Sequence, residues 1–380
     1  MQIRSLHIQG LRAHVDSHLA FSPGVNLIHG PNGAGKTNIL EAVHYACLGK
    51  SFLASSDRYA LTRGADRMQI DMEVDTERRS TEKVRLIYVP GEGKRVFVNG
   101  ALLDRLVDVV GRFPVVVLAP SDHRLTEDGP DERRRFLDAM LCQASPAYLN
   151  ALIAYRRVLK QRNELLSRRQ HMRGEMMASY DDALVQHGSR LIARRARFVR
   201  EFGEHLERAY QLMAESSEEP SIEYRGLSHL EDEPAVANVY RERLVARFDD
   251  ACARGVTLTG PHRDDLIFRL DDMLVRRYAS QGQHRTFVMG LKLAQYFYLE
   301  ERLGERPLLL LDDVFDTLDP DRMATIARLL SGDAVGQSLV TSARADVFSE
   351  VLQFDGTRAA ALAVKRYSST ESAETDETVP

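Results

Sequence analysis

The sequence has few cysteines and no long apolar segment. Only three of its 380 residues are cysteine, Cys47, Cys142 and Cys252, and their wide, odd-numbered spacing fits neither a disulfide framework nor a metal site. The longest apolar runs, such as 115–119 and 308–311, are much shorter than the roughly 20 residues that span a bilayer. The first ten residues alternate like a strand and lack the apolar centre of a signal peptide. These absences predict a soluble protein of the reducing cytoplasm with no membrane partner.

The composition is that of a globular protein, with 44% hydrophobic and 28% charged residues. A length of 380 residues indicates two or three domains. The net charge of −4 hides an uneven distribution. Residues 368–380 contain four acids and no base, which predicts a disordered acidic tail. No internal repeat is present, which argues against a repeat architecture.

Short strand patterns occur near both ends of the sequence, and helical patterns lie between them. Continuous apolar or β-branched runs at 25–29, 115–118 and 307–311 are typical of fully buried strands. Residues 147–214 have almost uninterrupted helical composition. Further on, we expect one helix over 234–253, a strand at 273–277, a long helix at 283–303 and a last strand at 338–341. This order indicates an α/β protein with a mainly helical insertion.

A glycine-rich segment between a predicted strand and a predicted helix has the spacing G-x-x-x-x-G-K-[ST]. It comprises Gly30, Pro31, Asn32, Gly33, Ala34, Gly35, Lys36 and Thr37. Glycines let the main chain wrap closely around phosphate oxygens, and the N–H groups that open the helix point towards the anion. Lys36 is predicted to bridge the β- and γ-phosphates of ATP, and the Thr37 hydroxyl to bind Mg²⁺. The alternative is an ordinary strand-to-helix turn.

Two adjacent acids follow the apolar strand at 307–311. Asp312 is expected at the carboxyl end of this strand, facing Thr37 and Mg²⁺. Asp313 points elsewhere and is the candidate for polarising the attacking water. Adjacent acids in this position also occur as helix caps or turn residues. Together with the glycine-rich loop, they predict catalysis by Lys36, Asp312 and Asp313.

Ser280-Gln281-Gly282-Gln283 opens the predicted long helix. It resembles the signature motif of ATP-binding-cassette proteins, in which serine and glycine amides at a helix N-terminus contact the γ-phosphate. The resemblance makes Ser280 and Gly282 nucleotide contacts and implies a two-fold dimer with ATP between the protomers. The alternative is a serine that only caps the helix.

Several motifs along the chain together resemble the RecF family of bacterial recombination proteins, within the SMC group of ATPases. The matching segments are GPNGAGKTNILEAV (30–43), GKSF (49–52), VLAPSD (117–122), RRRFLD (133–138), TGPHRDDL (259–266), residues 280–293 and LLLDDVFDTL (309–318). The resemblance implies an ATP-dependent, DNA-binding dimer of DNA repair, replication and the SOS response. It also implies that the protein loads recombinase at single-strand gaps with RecO- and RecR-like partners, in the cytoplasm at the nucleoid.

The chain departs from the family pattern in two places. Residues 316–319 read Asp-Thr-Leu-Asp where family members often have Ser-Glu-Leu-Asp, which affects the predicted dimer-contact loop. Thr341-Ser342-Ala343 after the last strand contains no histidine, so a histidine switch is not supported.

The helical insertion is strongly basic. Between residues 151 and 200, 12 Lys and Arg residues stand against four acids. This surplus indicates either a solvated helix face or a track for DNA phosphates. In the second case Arg194, Arg195 and Arg197 are candidate contacts, and binding should weaken steeply with salt.

The fold class expected from these observations is α/β, with a P-loop ABC-type ATPase head and an inserted, mainly helical arm. The head comprises 1–125 and 255–367, and the arm 126–254. The expected reaction is slow Mg²⁺-dependent hydrolysis of ATP to ADP and phosphate, used as a dimerisation switch on duplex DNA and on junctions of duplex and single strand. Two alternatives are the nucleotide-binding subunit of a membrane transporter and a scaffold that binds ATP without hydrolysing it.

Overall fold

The computed structural model describes residues 1–77, 81–167, 174–213, 218–227, 229–315, 320–346 and 358–364. The predicted acidic tail at 368–380 and the predicted dimer-contact loop at 316–319 lie outside these residues. None of the described helices is both long enough and apolar enough to cross a membrane.

Strands predominate up to residue 118, helices from residue 124 to 303, and both occur in the last part of the chain. The strands are β1 (Gln2–Leu11), β2 (His14–Ala20), β3 (Val25–His29), β4 (Met68–Asp75), β5 (Glu82–Val89), β6 (Gly93–Val98), β7 (Ala101–Leu102), β8 (Val115–Leu118), β9 (Pro220–Arg225), β10 (Asp265–Leu270), β11 (Met273–Leu274), β12 (Leu308–Leu311), β13 (Ser338–Ser342) and β14 (Ala359–Ala363). The helices are α1 (Lys36–Leu48), α2 (Arg124–Glu127), α3 (Pro130–Ala144), α4 (Pro146–Ser167), α5 (Gly174–Met213), α6 (Glu233–Ala246), α7 (Phe248–Arg254), α8 (Val275–Tyr278), α9 (Gln281–Leu303) and α10 (Pro320–Ser331).

The chain divides into two compact units. The first comprises Met1–Pro120 and the described part of Glu305–Pro380, and the second comprises Ser121–Gly304. Residues 255–304, which the sequence analysis assigned to the head, lie in the second unit. The division into head and arm at 125 and 255 stays a prediction.

A five-stranded parallel sheet of order β14-β3-β13-β12-β8 forms one layer of the first unit. Leu311 pairs with Val340 on one side and with Leu118 on the other, and Val340 pairs with Leu27. All four residues of β12 are buried, as expected for a central strand of a parallel sheet. The register brings the carboxyl ends of β3, β13 and β12 to one edge of the sheet. The presence of β3, β8, β12 and β13 confirms the strands predicted at 25–29, 115–118, 307–311 and 338–341.

An antiparallel sheet of order β2-β1-β4-β5-β6-β7 forms the second layer of this unit. Helix α1 joins the two sheets in one apolar core. Ile39 and Val43 of α1 are fully buried in the same cluster as Ile70 of the antiparallel sheet and Leu310 of the parallel sheet. Alternate residues of β4 are buried, so one face of the antiparallel sheet contributes to this core and the other carries polar side chains.

The second unit is mainly helical. The 40-residue helix α5 packs against α4, α6 and α9, and a small antiparallel sheet of order β11-β10-β9 lies beside α5. Two predictions about this unit are wrong. The helix expected at 234–253 is interrupted at Arg247, whose φ of −109° and ψ of 11° end α6 before α7 begins. The strand expected at 273–277 has only two residues, because the chain turns into α8 at Val275.

Candidate functional site

The glycine-rich loop connects β3 to α1, and Lys36 and Thr37 are the first two residues of the helix. Gly35 has a φ of 100°, in the left-handed region that glycine adopts without strain. A Cβ atom on Gly30 would lie 2.2 Å from the carbonyl oxygen of Val364. The loop therefore needs glycine at position 35 for its backbone conformation. It needs glycine at position 30 because the main chain after β14 lies so close there.

The middle of the loop is open to solvent. Pro31, Asn32 and Gly33 are exposed, and Ala34 turns back so that its N–H donates to the Pro31 carbonyl over 3.1 Å. Among the described residues, no side chain caps the start of α1, and no acid lies in its first turn. The start of α1 therefore keeps the partial positive charge that favours an anion.

Lys36 is only 4% exposed. Its ammonium group donates to the carbonyl oxygens of Gly30 at 2.9 Å and Pro31 at 3.4 Å. Among the described residues, no carboxylate forms an ion pair with it. Because Lys36 is buried and no described carboxylate lies within ion-pair distance of it, the loop and Lys36 together fit a phosphate chain.

Asp312 lies opposite Thr37 at the carboxyl edge of the parallel sheet. The Thr37 hydroxyl donates to Oδ1 of Asp312 over 2.7 Å, and the Thr341 hydroxyl donates to the same oxygen over 2.8 Å. Asp312 is 5% exposed, and this burial raises the pKa of its carboxyl group. The two hydroxyl groups fix the carboxylate at the place where the chain leaves β12.

These oxygens fit the coordination preferences of Mg²⁺. Neighbouring ligands of an octahedral Mg²⁺ lie about 2.9 Å apart. The Thr37 hydroxyl and the Asp312 carboxylate are separated by 2.7 Å, and both are hard oxygen donors. Because the pair lies at the start of α1, beside Lys36, a metal held there would also reach the phosphates that the loop binds.

Asp313 has an unusual conformation and an unpaired oxygen. Its φ is 45°, a left-handed value that is rare for residues other than glycine. Its N–H donates to the Thr341 hydroxyl over 2.9 Å. Its Oδ1 atom is buried and has no hydrogen-bond partner among the residues that the structure describes. Since a buried carboxylate oxygen normally has a partner, this oxygen is suited to accept a hydrogen bond from a water molecule or a substrate.

Sequence reasoning missed two side chains that fix this site. Thr341 was mentioned in the sequence analysis only because the segment after the last strand contains no histidine. Its hydroxyl donates to the Asp312 carboxylate and accepts a bond from the Asp313 N–H. His14 of β2 is 6% exposed; its Nε2 lies 3.0 Å from the Gly35 carbonyl oxygen and its Nδ1 lies 2.9 Å from the Ser17 hydroxyl. Burial lowers the pKa of His14, which favours the neutral ring. No local pattern in the sequence reveals either residue, because each reaches the loop or the acids from a distant strand.

Arg12 lies close to the loop but is engaged by a buried acid. Its guanidinium donates to both carboxylate oxygens of Glu41 over 3.0 and 3.1 Å, and the Ser51 hydroxyl donates to the same carboxylate. Glu41 is fully buried on α1. Arg12 therefore tethers the turn between β1 and β2 to the helix that follows the phosphate loop.

Ser280 and Gly282 lie in the second unit, at the start of α9. The Ser280 hydroxyl accepts a bond from the Gln283 N–H over 3.2 Å, and the Gln283 side chain accepts one from the Ser280 N–H over 2.7 Å. This capping box agrees with the simple capping alternative. Ser280 is also exposed, and no acceptor among the described residues takes its hydroxyl hydrogen, which can therefore be donated to an external group.

The expectation that Arg195 contacts DNA is wrong. Arg195 is 2% exposed and lies inside the second unit. Its guanidinium contacts Asp138 at 2.7 Å, Asp264 at 2.8 Å, the carbonyl oxygen of Pro261 at 2.6 Å and the Tyr148 hydroxyl at 3.0 Å. Each of its three guanidinium nitrogens therefore has a partner within the protein, and the buried side chain cannot reach a phosphate.

Other cations of the basic stretch are also neutralised locally. Arg162 is buried and donates to Asp181 over 2.7 Å, while Arg197 and Arg200 both pair with Glu231. The partner acids Asp138, Asp264 and Glu231 lie outside residues 151–200, so counting charges within that window overstates the positive surface. Arg157 and Lys160 are exposed on α4, with Lys160 only weakly paired, 4.0 Å from Glu164, and both are better placed for an external anion. Arg168, Arg169 and Arg173 lie outside the described residues.

The TGPHRDD segment takes part in the same buried network. The His262 Nδ1 atom lies 2.6 Å from the Tyr155 hydroxyl and its Nε2 atom lies 3.0 Å from the Thr257 carbonyl oxygen. Burial lowers the pKa of His262 to about 4, so the ring is neutral at physiological pH. Arg133, from the arginine triplet, pairs through two nitrogens with Asp265 at 2.7 and 3.0 Å. These residues join the helices of the second unit to β10.

Comparison with known proteins agrees with this architecture. A protein-family model described as an AAA domain matches residues 5–166. The protein named DNA replication and repair protein RecF from Salinibacter ruber is 47% identical over 372 residues, which cover 96% of this chain and 90% of that protein. The protein of the same name from Chloroherpeton thalassium is 44% identical over 359 residues, covering 93% of this chain and 98% of that protein.

Solved structures of similar proteins share the fold described above. The structure of the recombination mediator protein RecF-ATPrS in the RecFOR pathway is similar, with a TM-score of 0.85, 29% identity, and coverage of 91% of this chain and 93% of that one. An Smc head domain bound to part of ScpA from Pyrococcus furiosus, at 14% identity and a TM-score of 0.56, shares the fold alone. The predicted α/β fold of an ABC-type ATPase head with helical additions is confirmed.

Proposed function

The chain belongs to the RecF family, and from that premise we propose that it is an ATP-dependent DNA-binding ATPase of recombinational repair and replication. The observation that carries this proposal is the 2.7 Å contact between Thr37, at the start of α1, and Asp312, at the end of β12. It joins the phosphate loop to the acid pair across 275 residues of sequence. The similar structure described as RecF-ATP, with a TM-score of 0.85, supports ATP as the nucleotide.

Each residue of the site has a distinct role in this proposal. The amides of the loop and the Lys36 ammonium bind the phosphates, and Lys36 neutralises charge that develops during transfer. Thr37 and Asp312 hold Mg²⁺, which when bound neutralises phosphate charge and orients the γ-phosphate. Asp313 accepts a hydrogen bond from the attacking water through its unpaired Oδ1. Thr341 keeps the two acids in place.

The hydrolysis is slow and serves as a switch between association states. Ser280 and Gly282 of one protomer contact the γ-phosphate of the ATP held by Lys36 of the other. The exposed position of Ser280 and its free hydroxyl hydrogen support this role. Two ATP molecules are then enclosed in a closed homodimer, which reopens after hydrolysis.

In the closed state the dimer binds duplex DNA and junctions of duplex and single strand. It contacts phosphates through exposed cations such as Arg157 and Lys160, because arginine and lysine without a base-reading motif supply charge and not sequence readout. RecO- and RecR-like proteins are the expected partners in loading recombinase at single-strand gaps. The site of action is the cytoplasm, at the nucleoid.

The transporter alternative is not favoured, because the relatives that the chain matches over nearly its full length are named as DNA replication and repair proteins. The scaffold alternative differs from our proposal only in turnover. It predicts tight ATP binding with no measurable release of phosphate.

An assay of phosphate release decides between the ATPase and the scaffold. Asp312→Asn should lower turnover about a hundredfold or more, because the amide is a poor Mg²⁺ ligand and the metal contributes several kcal/mol. Binding of a fluorescent ATP analogue should remain detectable in this variant. Asp333→Asn, the same change at an exposed position of the first unit, is the matched control and should hydrolyse ATP at the wild-type rate.

Turnover by Asp312→Asn at the wild-type rate would show that the acids are assigned wrongly. Absence of turnover in the wild type, with ATP binding intact, would favour the scaffold. Duplex, single-strand and gapped DNA should then be titrated with and without ATP, and binding that is independent of ATP on all three would contradict the proposed switch.

A further inference from the structure

The polar face of the antiparallel sheet carries two histidines directly opposite each other. His7 of β1 pairs in register with His18 of β2. Asp16 lies two residues before His18 on the same strand, and therefore on the same face of the sheet. The hairpin thus brings together two imidazole groups and a carboxylate that the candidate nucleotide site does not use.

The ligand atoms of these three side chains converge. Oδ1 of Asp16 lies 2.7 Å from Nε2 of His7 and 3.7 Å from Nε2 of His18. One nitrogen from each ring and one carboxylate oxygen all lie within 4.8 Å of one another. The two rings are stacked, with centroids 3.7 Å apart and planes inclined by 15°.

We propose that His7, His18 and Asp16 form a binding site for a divalent transition-metal ion of the Zn²⁺ class. Donor atoms around a tetrahedral ion with bonds of 2.0–2.1 Å lie about 3.3–3.4 Å apart. The two measured separations, 2.7 and 3.7 Å, lie on either side of that value. Small movements of the exposed His18 and Asp16 side chains suffice to equalise them and to tilt the stacked rings towards a common ion.

The chemistry of the donors selects the class of metal. Imidazole nitrogen suits zinc, copper and nickel, whereas Mg²⁺ and Ca²⁺ prefer oxygen. Only three protein donors are present in the cluster, and the side chains of His18 and Asp16 are 74% and 54% exposed. A fourth position is therefore open to water, and the metal should exchange with the solvent.

A hydrogen bond orients one of the three ligands, as in established zinc sites, and a carboxylate lies near a second ligand. The Gln9 side chain donates to the second oxygen of Asp16 over 3.3 Å. The other ring nitrogen of His7 lies 4.0 Å from Asp71, which is held in turn by Gln69 at 2.7 Å and by Arg85. Asp71 is the register partner of His7 on β4, so the sheet itself places this supporting carboxylate.

Calorimetric titration of the full-length, nucleotide-free protein with ZnCl₂, after treatment with a chelator, tests the proposal. One Zn²⁺ per chain should bind, and Co²⁺ in its place should give the intense visible absorption of a tetrahedral site. His18→Ala and Asp16→Asn should each weaken Zn²⁺ binding by about tenfold or more. Both positions are exposed, so neither change should affect folding.

Two controls separate this site from others in the protein. His123→Ala removes an exposed histidine of the second unit that lies 3.9 Å from Glu127, and should leave Zn²⁺ binding unchanged. Asp312→Asn, which alters the proposed Mg²⁺ site, should leave it unchanged as well. The proposal is overturned if the wild type binds no stoichiometric Zn²⁺, or if binding and the Co²⁺ spectrum persist in both His18→Ala and Asp16→Asn.

Discussion

At the scale of single residues, Asp312 is held in place at a cost to stability. It is buried, it accepts hydrogen bonds from Thr37 and Thr341, and burial raises the pKa of its carboxyl group above the ordinary value of 3.8. A buried carboxylate of this kind favours its protonated form. Below pH 3.8 the group is neutral in both the folded and the unfolded state, and as the pH rises through the higher folded pKa its ionisation increasingly destabilises the fold.

Asp312→Asn should therefore stabilise the nucleotide-free protein at pH 7. The asparagine oxygen can accept the same two hydrogen bonds, and no charge is buried. The melting temperature of the variant should exceed that of the wild type at pH 7, and the difference should shrink as the pH falls towards 4. Thermal unfolding at a series of pH values measures this, with Asp333→Asn as the exposed control. A variant less stable than the wild type at pH 7 would show that the charge is compensated in the folded protein.

Thr341 should act on turnover and not on ATP affinity. Thr341→Val removes a hydroxyl that binds both Asp312 and the Asp313 N–H, at nearly the same volume. Loss of one or two hydrogen bonds of about 1 kcal/mol each should lower kcat about tenfold, with little change in KM for ATP. Thr341→Ser keeps the hydroxyl and should restore most of the rate.

The Mg²⁺ dependence of nucleotide binding gives a second measurement of the same effect. Thr341→Val should need a higher Mg²⁺ concentration for half-maximal binding of an ATP analogue, because Asp312 is less well oriented. If Val and Ser variants lose activity equally, the role of Thr341 is packing and not hydrogen bonding.

At the scale of secondary-structure elements, arginines that were expected on a positive surface instead form buried ion pairs within the second unit. Arg195 of α5 joins Asp138 of α3 to Asp264, which precedes β10. Burial alone would raise the pKa of Asp138, but the charge of Arg195 and the hydrogen bonds from Tyr148 and Arg195 outweigh it and lower the pKa. The acid thus stays ionised, and the network fixes α5 relative to α3 and β10.

Arg195→Ala should destabilise the protein by about 3–5 kcal/mol, because it removes the buried cation shared by Asp138 and Asp264, although Asp138 keeps its ion pair with the exposed Arg156. Arg197→Ala, two residues along the same helix, removes an arginine whose side chain is 45% exposed and should cost less than about 1 kcal/mol. Chemical unfolding followed by circular dichroism compares the two variants. Equal stability of both would mean that the network contributes no net free energy.

At the scale of the whole molecule, the proposed sandwich makes association depend on the γ-phosphate. Removing that phosphate deletes charge-assisted hydrogen bonds of about 1.5–3 kcal/mol each from the centre of the interface. Sedimentation velocity of Asp312→Asn protein should therefore show a monomer with ADP and a dimer with ATP. Adding Ser280→Arg should return the ATP form to a monomer, because the larger side chain blocks closure, while ATP binding to the Lys36 loop persists.

Ser221→Arg is the matched control, since it makes the same change at another exposed position of the second unit. It should leave the ATP-dependent dimer intact. A dimer that persists with ADP, or one indifferent to Ser280→Arg, would place the association surface elsewhere and leave the ATPase proposal standing.

The sequence alone determined the phosphate loop, the acid pair and the order of the strands that carry them. The loop is a local structure, since a buried strand, closely spaced glycines and a helix start are sufficient to specify it. The three strands predicted from continuous apolar runs are present, because such runs need burial on both faces. The family resemblance followed from the same local motifs.

Only the tertiary structure decided which charged and polar side chains meet. Arg195 and Arg197 have the same residue type on one helix, yet one is enclosed by acids from α3 and the segment before β10 and the other is largely exposed. Thr341 and His14 reach the site from strands far along the sequence, and His7 meets His18 only through strand register. Hydrogen bonds and ion pairs act over a few ångströms in space, so a sequence pattern does not reveal a partner that folding brings from a distant element.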